Sequence, residues 1–264
     1  HVKFDGTLSS SSDTVIRIWY NGTDTEPGST STYGSEAVWS DYEFVFHYEE
    51  DPSGSAPQMI DSAGNSYDAT SSGSMTSGDS VGGKLSGNAI DLDGTNDSVE
   101  TASSPALAGN EAVTIQEWFN GQAPVMGTFN GSVGLVVGGS GNTNGLGAKF
   151  QPRVSGGNEN RVESDPTDVR NTGWHMTHYT HDGGGYGATG RSKVYIDGVD
   201  ETSITESSLT SAIGNSNGFS VGEKGDGTGY APHTADELRL RFESLSSDWI
   251  SIEHNNRSSP STFY

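Results

Sequence analysis

The chain has 264 residues, and 13 basic against 35 acidic residues give it a formal net charge of -22. A field of that sign repels phosphate backbones, so we expect no nucleic-acid partner. No apolar run reaches the roughly 18 residues of a membrane-spanning helix, so no membrane insertion is predicted. The chain has no cysteine, which does not decide its compartment, because a domain of this size can fold without disulfides. It begins at His1 rather than Met, and we interpret it as a processed or excised piece of a longer protein.

Short runs of alternating apolar and polar residues, separated by Gly, Asn and Asp turn signals, predict β-strands along most of the chain. The predicted strands are 15–20, 42–48, 89–94, 113–119, 134–137, 174–179, 192–196, 218–222 and 235–242. One helical turn is predicted near 247–254, with Ser246 or Ser247 as its N-cap. Many short strands with turns between them predict an all-β, two-sheet antiparallel sandwich.

The polar composition divides the chain into two predicted parts. Residues 23–35 are polar, and the strand predicted before them stands apart from the others. We therefore interpret 1–35 as the C-terminal part of a preceding β module, packed on a sandwich formed by 36–264. The Gly/Ser-rich stretch 69–83 is predicted to be a flexible loop.

Four groups of segments resemble one family of β-sandwiches. They are 45–50 with 61–65, then 87–99, then 173–175 with 194–199, and last 236–240 with 247–250. In this order and spacing they are similar to the concanavalin A-like, laminin-G-type jelly rolls of bacterial surface proteins. Residues 1–40 resemble the end of an uncharacterised module that often precedes that jelly roll. The resemblance implies a jelly-roll fold and a binding or adhesion role in a secreted, cell-surface or virion-surface protein, while function must be argued from a site.

Clustered oxygen-bearing side chains point to a structural Ca²⁺, which binds six to eight oxygens. The turn from Asp93 to Asp97 concentrates such oxygens, and the resemblance implies that Asp236 lies beside it, with Asp61 and Asn65 close by. The alternative is that these residues form turns and solvated charges.

Aromatic and polar residues in predicted loops point to a glycan or polysaccharide ligand, since sugar sites combine flat rings with a few polar groups. Tyr186 and Tyr230 lie in Gly-rich stretches, and the alternative for them is packing at the edge of the sandwich. The polar candidates in predicted loops are His181, Asn158, Asn160, Arg161 and His233. We expect the strand aromatics Trp118, Trp174 and Tyr195 to lie in the core and Trp249 to anchor the C-terminal helical turn.

We predict that the chain is not an enzyme. Glycoside hydrolysis needs two opposed carboxyl groups, and no strand carries the paired pattern; Asp236 and Glu237 are adjacent, so they are expected to point to opposite faces. In a strand, His175 and His181 lie on one face and His178 on the other, which disfavours a zinc site. Two alternatives stay open. One is a structural or interaction domain of a surface filament, fibre or capsid decoration, which would contact neighbouring domains or subunits, and the other is a polysaccharide-degrading enzyme.

Overall fold

The structure of the chain is a computed structural model. It describes residues 25, 27–85, 87–107, 112–131, 134–138, 149–153, 161–164, 171–183, 191–206 and 217–259. The predicted strand 15–20 and most of the predicted N-terminal module lie outside these residues. The predicted boundary between 35 and 36 falls at the start of a short helix, α1 (Ser35–Val38).

The described residues form sixteen strands. In chain order these are β1 (Phe44–Phe46), β2 (Ala69–Ser72), β3 (Ser80–Gly82), β4 (Asn88–Asp93), β5 (Ser98–Thr101), β6 (Ala112–Gly121), β7 (Met126–Gly127), β8 (Gly134–Val137), β9 (Lys149–Arg153), β10 (Arg161–Ser164), β11 (Trp174–Asp182), β12 (Ser192–Ile196), β13 (Val199–Asp200), β14 (Thr202–Glu206), β15 (Ser220–Val221) and β16 (Pro232–Arg241). The prediction of an all-β, two-sheet antiparallel sandwich is confirmed.

Each sheet has eight strands. The first sheet has the order β13-β12-β11-β6-β16-β4-β3, and β1 also pairs with β16. The second sheet has the order β14-β10-β9-β8-β7-β15-β5-β2. The two longest strands of the first sheet, β6 and β16, lie side by side at its centre. Their alternating side chains therefore decide what the two faces of this sheet contact.

One face of β6 packs into the main hydrophobic core. Val113, Ile115 and Phe119 belong to the main core cluster and are completely buried. Trp118 points the other way, is 1% exposed, and lies 5.8 Å from the ring of His254. Trp118 is thus buried as predicted, but by the C-terminal helix on the outer face of the sheet.

That helix, α2, spans Ser247–Ser258 and is longer than the predicted turn. Ser246 is the N-cap, and its hydroxyl accepts a hydrogen bond from the backbone N–H of Trp249 at 3.2 Å. Trp249 is 52% exposed, whereas Ile250 is completely buried. The prediction that Trp249 anchors this segment is wrong, because the helix buries the side chain of Ile250 and leaves that of Trp249 half-exposed.

The prediction of a flexible loop over 69–83 is also wrong. This segment contains β2, a 3₁₀ turn at Ser77–Asp79, and β3. β2 pairs with β5 at the edge of the second sheet, and β3 pairs with β4 at the edge of the first. An edge strand can remain largely polar, since one of its sides faces water.

The central strand β16 pairs along one edge with two different strands, one after the other. Its first residues, 232–235, pair with β4, and residues 238–240 pair with β1. Between these halves, the register with β6 shifts after Asp236, and Glu237 adopts a positive φ of 57°. Such a bulge interrupts the alternation of faces, so the simple expectation that Asp236 and Glu237 point to opposite faces does not apply here.

The turn after β4 is closely packed against the start of β16. Gly94 adopts a φ of 73°, which glycine tolerates without strain. A β-carbon at this position would collide with Pro232. The glycine therefore lets the turn and the first residue of β16 touch.

Candidate functional site

A groove lies where β1 begins and β16 ends. These strands pair antiparallel with Phe44 opposite Leu240, so the residues before β1 lie beside those that follow β16. The groove has a volume of about 410 Å³. Its lining residues are Ser40, Asp41, Tyr42, Glu43, Asn65, Arg241, Phe242 and Glu243. We call it the Tyr42 groove.

The ring of Tyr42 is held in place by its neighbours. The ring centroid of Trp39 lies 5.6 Å away in an edge-on arrangement. The guanidinium groups of Arg241 and Arg239 lie 5.3 Å and 5.9 Å from the Tyr42 centroid, within the range of cation–π attraction. Burial, and then the charge of Glu253, raises the pKa of Tyr42, so its hydroxyl is uncharged at neutral pH. The groove thus presents an oriented, neutral aromatic side chain.

A buried ion network lies behind this ring and joins β16 to α2. Arg239, whose side chain is 2% exposed, pairs with Glu237 and, at 3.3 Å, with Glu253. Arg257 contacts Glu253 at 3.1 Å, and Nδ1 of His47 lies 2.7 Å from Glu237. Although burial opposes it, the hydrogen bond from His47 and the charge of Arg239 lower the pKa of Glu237. The network therefore compensates its own buried charges.

The other wall of the groove is fixed by Asp61 and Asn65, two of the predicted metal ligands. Asp61 accepts hydrogen bonds from the backbone N–H groups of Val45, Ala63 and Asn65 at 2.9–3.0 Å. The side-chain amide of Asn65 donates to the carbonyls of residues 42–43, both at 3.0 Å. In the structure these two residues hold backbone in place at the groove.

The five predicted metal ligands do not come together. β4 pairs with β16, as the resemblance implies, but Asp93 lies opposite Pro232, four residues before Asp236. At a rise of ~3.3 Å per residue, about 13 Å separates the two positions along the strand. Asn65 lies beyond the far end of β16, next to residues 42–43. The predicted proximity of these residues to the Asp93–Asp97 turn is therefore wrong.

The backbone supplies hydrogen bonds to each of these carboxylates. Asp93 accepts from the N–H of Thr95 at 2.6 Å, and this hydrogen bond lowers the pKa of Asp93. Asp97 accepts from the N–H of Asp93 at 3.3 Å, and burial raises the pKa of Asp97. Asp236 accepts from Lys84 at 2.7 Å, and burial raises the pKa of Asp236 to about 6. Within the described ranges, no three His, Cys, Asp or Glu side chains form a group able to hold a metal ion.

Two of the predicted ligand-binding residues are buried in strands. His181 lies in β11, is 4% exposed, and contacts the hydroxyl of Ser192 at 2.9 Å. His233 lies in β16 and is 2% exposed. The prediction that these histidines lie in loops is wrong, because both positions belong to the central sheet. Neither ring is placed to contact a ligand from solution.

The other predicted ligand-binding residues lie elsewhere. Tyr230 is half-buried before β16, at the opposite end of that strand from the Tyr42 groove, and burial with nearby Glu223 and Asp226 raises the pKa of Tyr230. Tyr186, Asn158 and Asn160 lie outside the described residues, as does the side chain of Arg161.

The histidines of β11 separate as their spacing predicts. His175 and His181 pair with Phe119 and Val113, which face the core, and His178 pairs with Gln116. Nδ1 of His175 lies 2.7 Å from Asp197, and Nε2 of His178 lies 3.2 Å from Glu253. His175 and His178 therefore have different carboxylate partners, and the ring of His181 contacts the hydroxyl of Ser192 instead.

No known protein-family model and no curated protein sequence matches the chain. Solved structures do share its fold. Domain 4 of AbnA, an extracellular GH43 arabinanase from Geobacillus stearothermophilus solved in complex with arabinotriose, superposes with a TM-score of 0.57 at 15% identity, covering 80% of this chain and 97% of that one. The binding domain of Paraclostridial Mosquitocidal Protein 1 superposes with a TM-score of 0.60 at 11% identity over 83% of this chain and 53% of that one.

The binding domain of botulinum neurotoxin serotype G is also similar, with a TM-score of 0.56 at 16% identity over 83% of this chain and 51% of that one. The chain therefore spans about half the length of these toxin binding domains. At such low identities the likeness shows the fold alone. The folds that it matches are β-sandwiches of carbohydrate-binding or receptor-binding domains. Within the described ranges, no helix is long and apolar enough to cross a membrane.

The sequence reasoning missed the Tyr42 groove. The sequence pattern predicts Tyr42 as part of one regular strand and Arg239 and Arg241 as part of another. The sequence does contain one indication of this site. Two arginines on the outer face of a strand, next to a predicted helix, would be partly buried by that helix, and each buried charge then needs a partner nearby. Their pairing with an aromatic residue about 200 positions earlier depends on strand register, which one sequence does not reveal.

Proposed function

We propose that the chain is a carbohydrate-binding domain of a secreted, cell-surface or virion-surface protein, and that its sugar site is the Tyr42 groove. The observation that carries this proposal is the groove itself, which places two aromatic side chains, Tyr42 and Phe242, among amide, hydroxyl and charged groups. Flat rings beside a few fixed polar groups are typical of sites that bind sugars through their C–H faces and hydroxyls. The shared fold with an AbnA domain solved with arabinotriose supports the same class of ligand.

The site needs little rearrangement to bind. Tyr42 is fixed by Trp39 and two arginines, and the opposite wall is fixed by the hydrogen bonds of Asn65. A preorganised site avoids much of the entropy cost of ordering side chains around a ligand. Four of its lining residues, Ser40, Asp41, Asn65 and Glu243, are exposed, so the groove is open to solvent, which suits an extended oligosaccharide rather than an enclosed monosaccharide.

The test is binding of the chain to a glycan array, followed by calorimetry with the oligosaccharides retained. Tyr42→Ala is expected to lower affinity at least tenfold, whereas Tyr33→Ala, at an 85%-exposed tyrosine outside the groove, is expected to leave it unchanged. Because Tyr42 also packs on Trp39, the exposed groove residue Asp41 provides a second variant, Asp41→Ala, with little risk to folding. Equal affinities of wild type and both groove variants would exclude this groove as the site.

The second part of the proposal is that a structural Ca²⁺ binds at the Asp93–Asp97 turn and stabilises the domain. Asp97 is 5% exposed, and after burial the charges of Asp93 and Asp79 also raise its pKa, so a cation there would relieve their repulsion. Ca²⁺ is expected to raise the melting temperature of the wild type over that in chelator, and Asp97→Ala is expected to remove that increase. The exposed Asp51→Ala is the matched control. A wild-type melting temperature that is the same with calcium and with chelator would refute the calcium site and leave the proposed sugar site standing.

The alternative is an interaction domain without a small ligand. Helix α2 exposes two large apolar side chains one turn apart, Trp249 and Ile252, each 52% exposed. Exposed apolar residues at this spacing are typical of a helix face that packs on a partner. A blank glycan array, together with a protein partner whose binding is lost in Trp249→Ala, would favour this alternative.

A further inference from the structure

The Tyr42 groove has an unequal balance of charges. Three of its lining residues are carboxylates, Asp41, Glu43 and Glu243, and Arg241 is the one guanidinium among the lining residues. The formal charge of the lining is therefore negative, and the chain around it carries a net charge of -22. An anionic ligand that approaches this groove meets repulsion both locally and at long range.

Arg241 is already engaged within the groove. One of its terminal nitrogens forms a close ion pair with Glu243. Its guanidinium also lies 5.3 Å from the ring centroid of Tyr42, and its side chain is 16% exposed. Glu243 already offsets the charge of Arg241, so a ligand carboxylate that approached the other N–H groups of this guanidinium would also meet the negative charge of Glu243.

The carboxylate of Glu43 is fixed as an acceptor. It accepts a hydrogen bond from the hydroxyl of Tyr67 at 2.6 Å. Carboxylates in a sugar site accept hydrogen bonds from ligand hydroxyls, and the exposed Asp41 and Glu243 are of the right type to do so. The polar groups of this groove therefore match a ligand that donates hydrogen bonds and carries no negative charge.

We infer that the Tyr42 groove selects neutral, hydroxyl-rich glycans and excludes glycans that carry carboxylate or sulfate groups, through the Arg241–Glu243 pair and the surplus of carboxylates. This inference rests on the proposed carbohydrate-binding function and specifies its ligand class. Neutral ligands form few ionic contacts, so their affinity depends little on salt, whereas exclusion of anionic ligands weakens as salt screens the charges.

The experiment compares three polysaccharides by affinity electrophoresis and calorimetry: a neutral arabinan, a neutral xylan and the anionic polygalacturonate. The wild type is expected to bind at least one neutral polymer with an affinity that changes less than about twofold between low and high salt. It is expected to bind polygalacturonate at least tenfold more weakly. The double variant Asp41→Asn/Glu243→Gln is expected to raise the ratio of anionic to neutral affinity at least tenfold, because it frees Arg241 and removes two negative charges.

The control variant is Asp51→Asn/Glu100→Gln, which removes the same charge from exposed positions outside the groove. An unchanged affinity ratio in this control would assign the selection to the groove rather than to the net charge. Preferential binding of polygalacturonate by the wild type would overturn the inference and leave the proposed function standing. If no glycan of either kind binds in any buffer, both the inference and the proposed function fail.

Discussion

Nε2 of His233 lies 3.8 Å from a carboxylate oxygen of Glu117, and both side chains are completely buried. Nδ1 of His233 contacts the carbonyl of Ala231 at 3.1 Å, so it carries the ring proton and Nε2 is left as an acceptor. Burial lowers the pKa of His233 to about 4, and burial followed by the charge of Asp236 raises the pKa of Glu117 well above its ordinary value. The pair is therefore a neutral imidazole facing a neutral carboxylic acid.

The first prediction concerns Glu117→Gln, which keeps the shape of the side chain and removes its ionisation. The folded state holds the Glu117 proton to a higher pH than the unfolded chain does, so wild-type stability falls as pH rises from about 4.5 through the raised pKa. The variant lacks this loss, and its advantage is expected to grow by up to about 1.4 kcal/mol per pH unit over that window. Urea denaturation at a series of pH values measures it, and parallel curves for the two proteins would contradict the buried neutral acid.

The second prediction concerns the acid side and His233→Asn. Because the folded pKa of His233 is about 4 against an ordinary 6.5, the wild type loses stability as pH falls between these values. The loss amounts to about 3 kcal/mol when complete. The asparagine variant can still donate to the Ala231 carbonyl but does not titrate, so its decline over this range should be shallower. The free energy of unfolding at pH 6.5 and 4, compared between the proteins, decides the matter.

The third prediction separates the two neighbours at the start of α2. Ile250→Ala removes a completely buried side chain and is expected to cost about 2–5 kcal/mol of stability. Trp249→Ala removes a larger side chain that is half-exposed, and the expected cost is under about 1 kcal/mol. Chemical denaturation of both variants gives the comparison. A larger cost for Trp249 would mean that the helix is rotated relative to the sheet.

The fourth prediction concerns the ion network behind the Tyr42 groove. Arg239→Met removes the buried guanidinium that pairs with both Glu237 and Glu253 and leaves them Arg257, at 3.8 Å and 3.1 Å, as their remaining shared cation, so the expected cost is up to about 3–5 kcal/mol. The control is Lys193→Met, which breaks the exposed ion pair with Asp200 and should cost at most about 1 kcal/mol. Denaturation at neutral pH measures both variants. Similar costs would show that the Arg239 network contributes no more than a surface ion pair.

The fold class could be predicted because strand periodicity and turn residues are local properties. The strands at 134–137 and 192–196 agree with the predicted bounds, and Ser246 is the N-cap of the C-terminal helix as expected. Prediction failed at 69–83, where two polar edge strands carry too few apolar residues to show a period. Edge strands obtain much of their stability from pairing with a neighbour, which a local pattern does not contain.

The site could not be predicted for a related reason. The Asp93–Asp97 turn was correctly placed next to the strand that carries Asp236, yet the register separates the two carboxylates by four residues. Two antiparallel strands could pair in several registers, and the sequence does not say which register forms. The register between β1 and β16 also brings residues 42–43 beside the end of β16. The groove therefore cannot be predicted from either segment alone.

The division of β16 between two partner strands has a consequence for how the domain assembles. Its second half closes the Tyr42 groove by pairing with β1, almost 200 residues earlier in the chain. Contacts of such long range must overcome a large loop-closure entropy, and they make all-β domains fold slowly. During synthesis, the groove can form only after Glu243 has left the ribosome, so binding competence requires both β1 and the whole of β16.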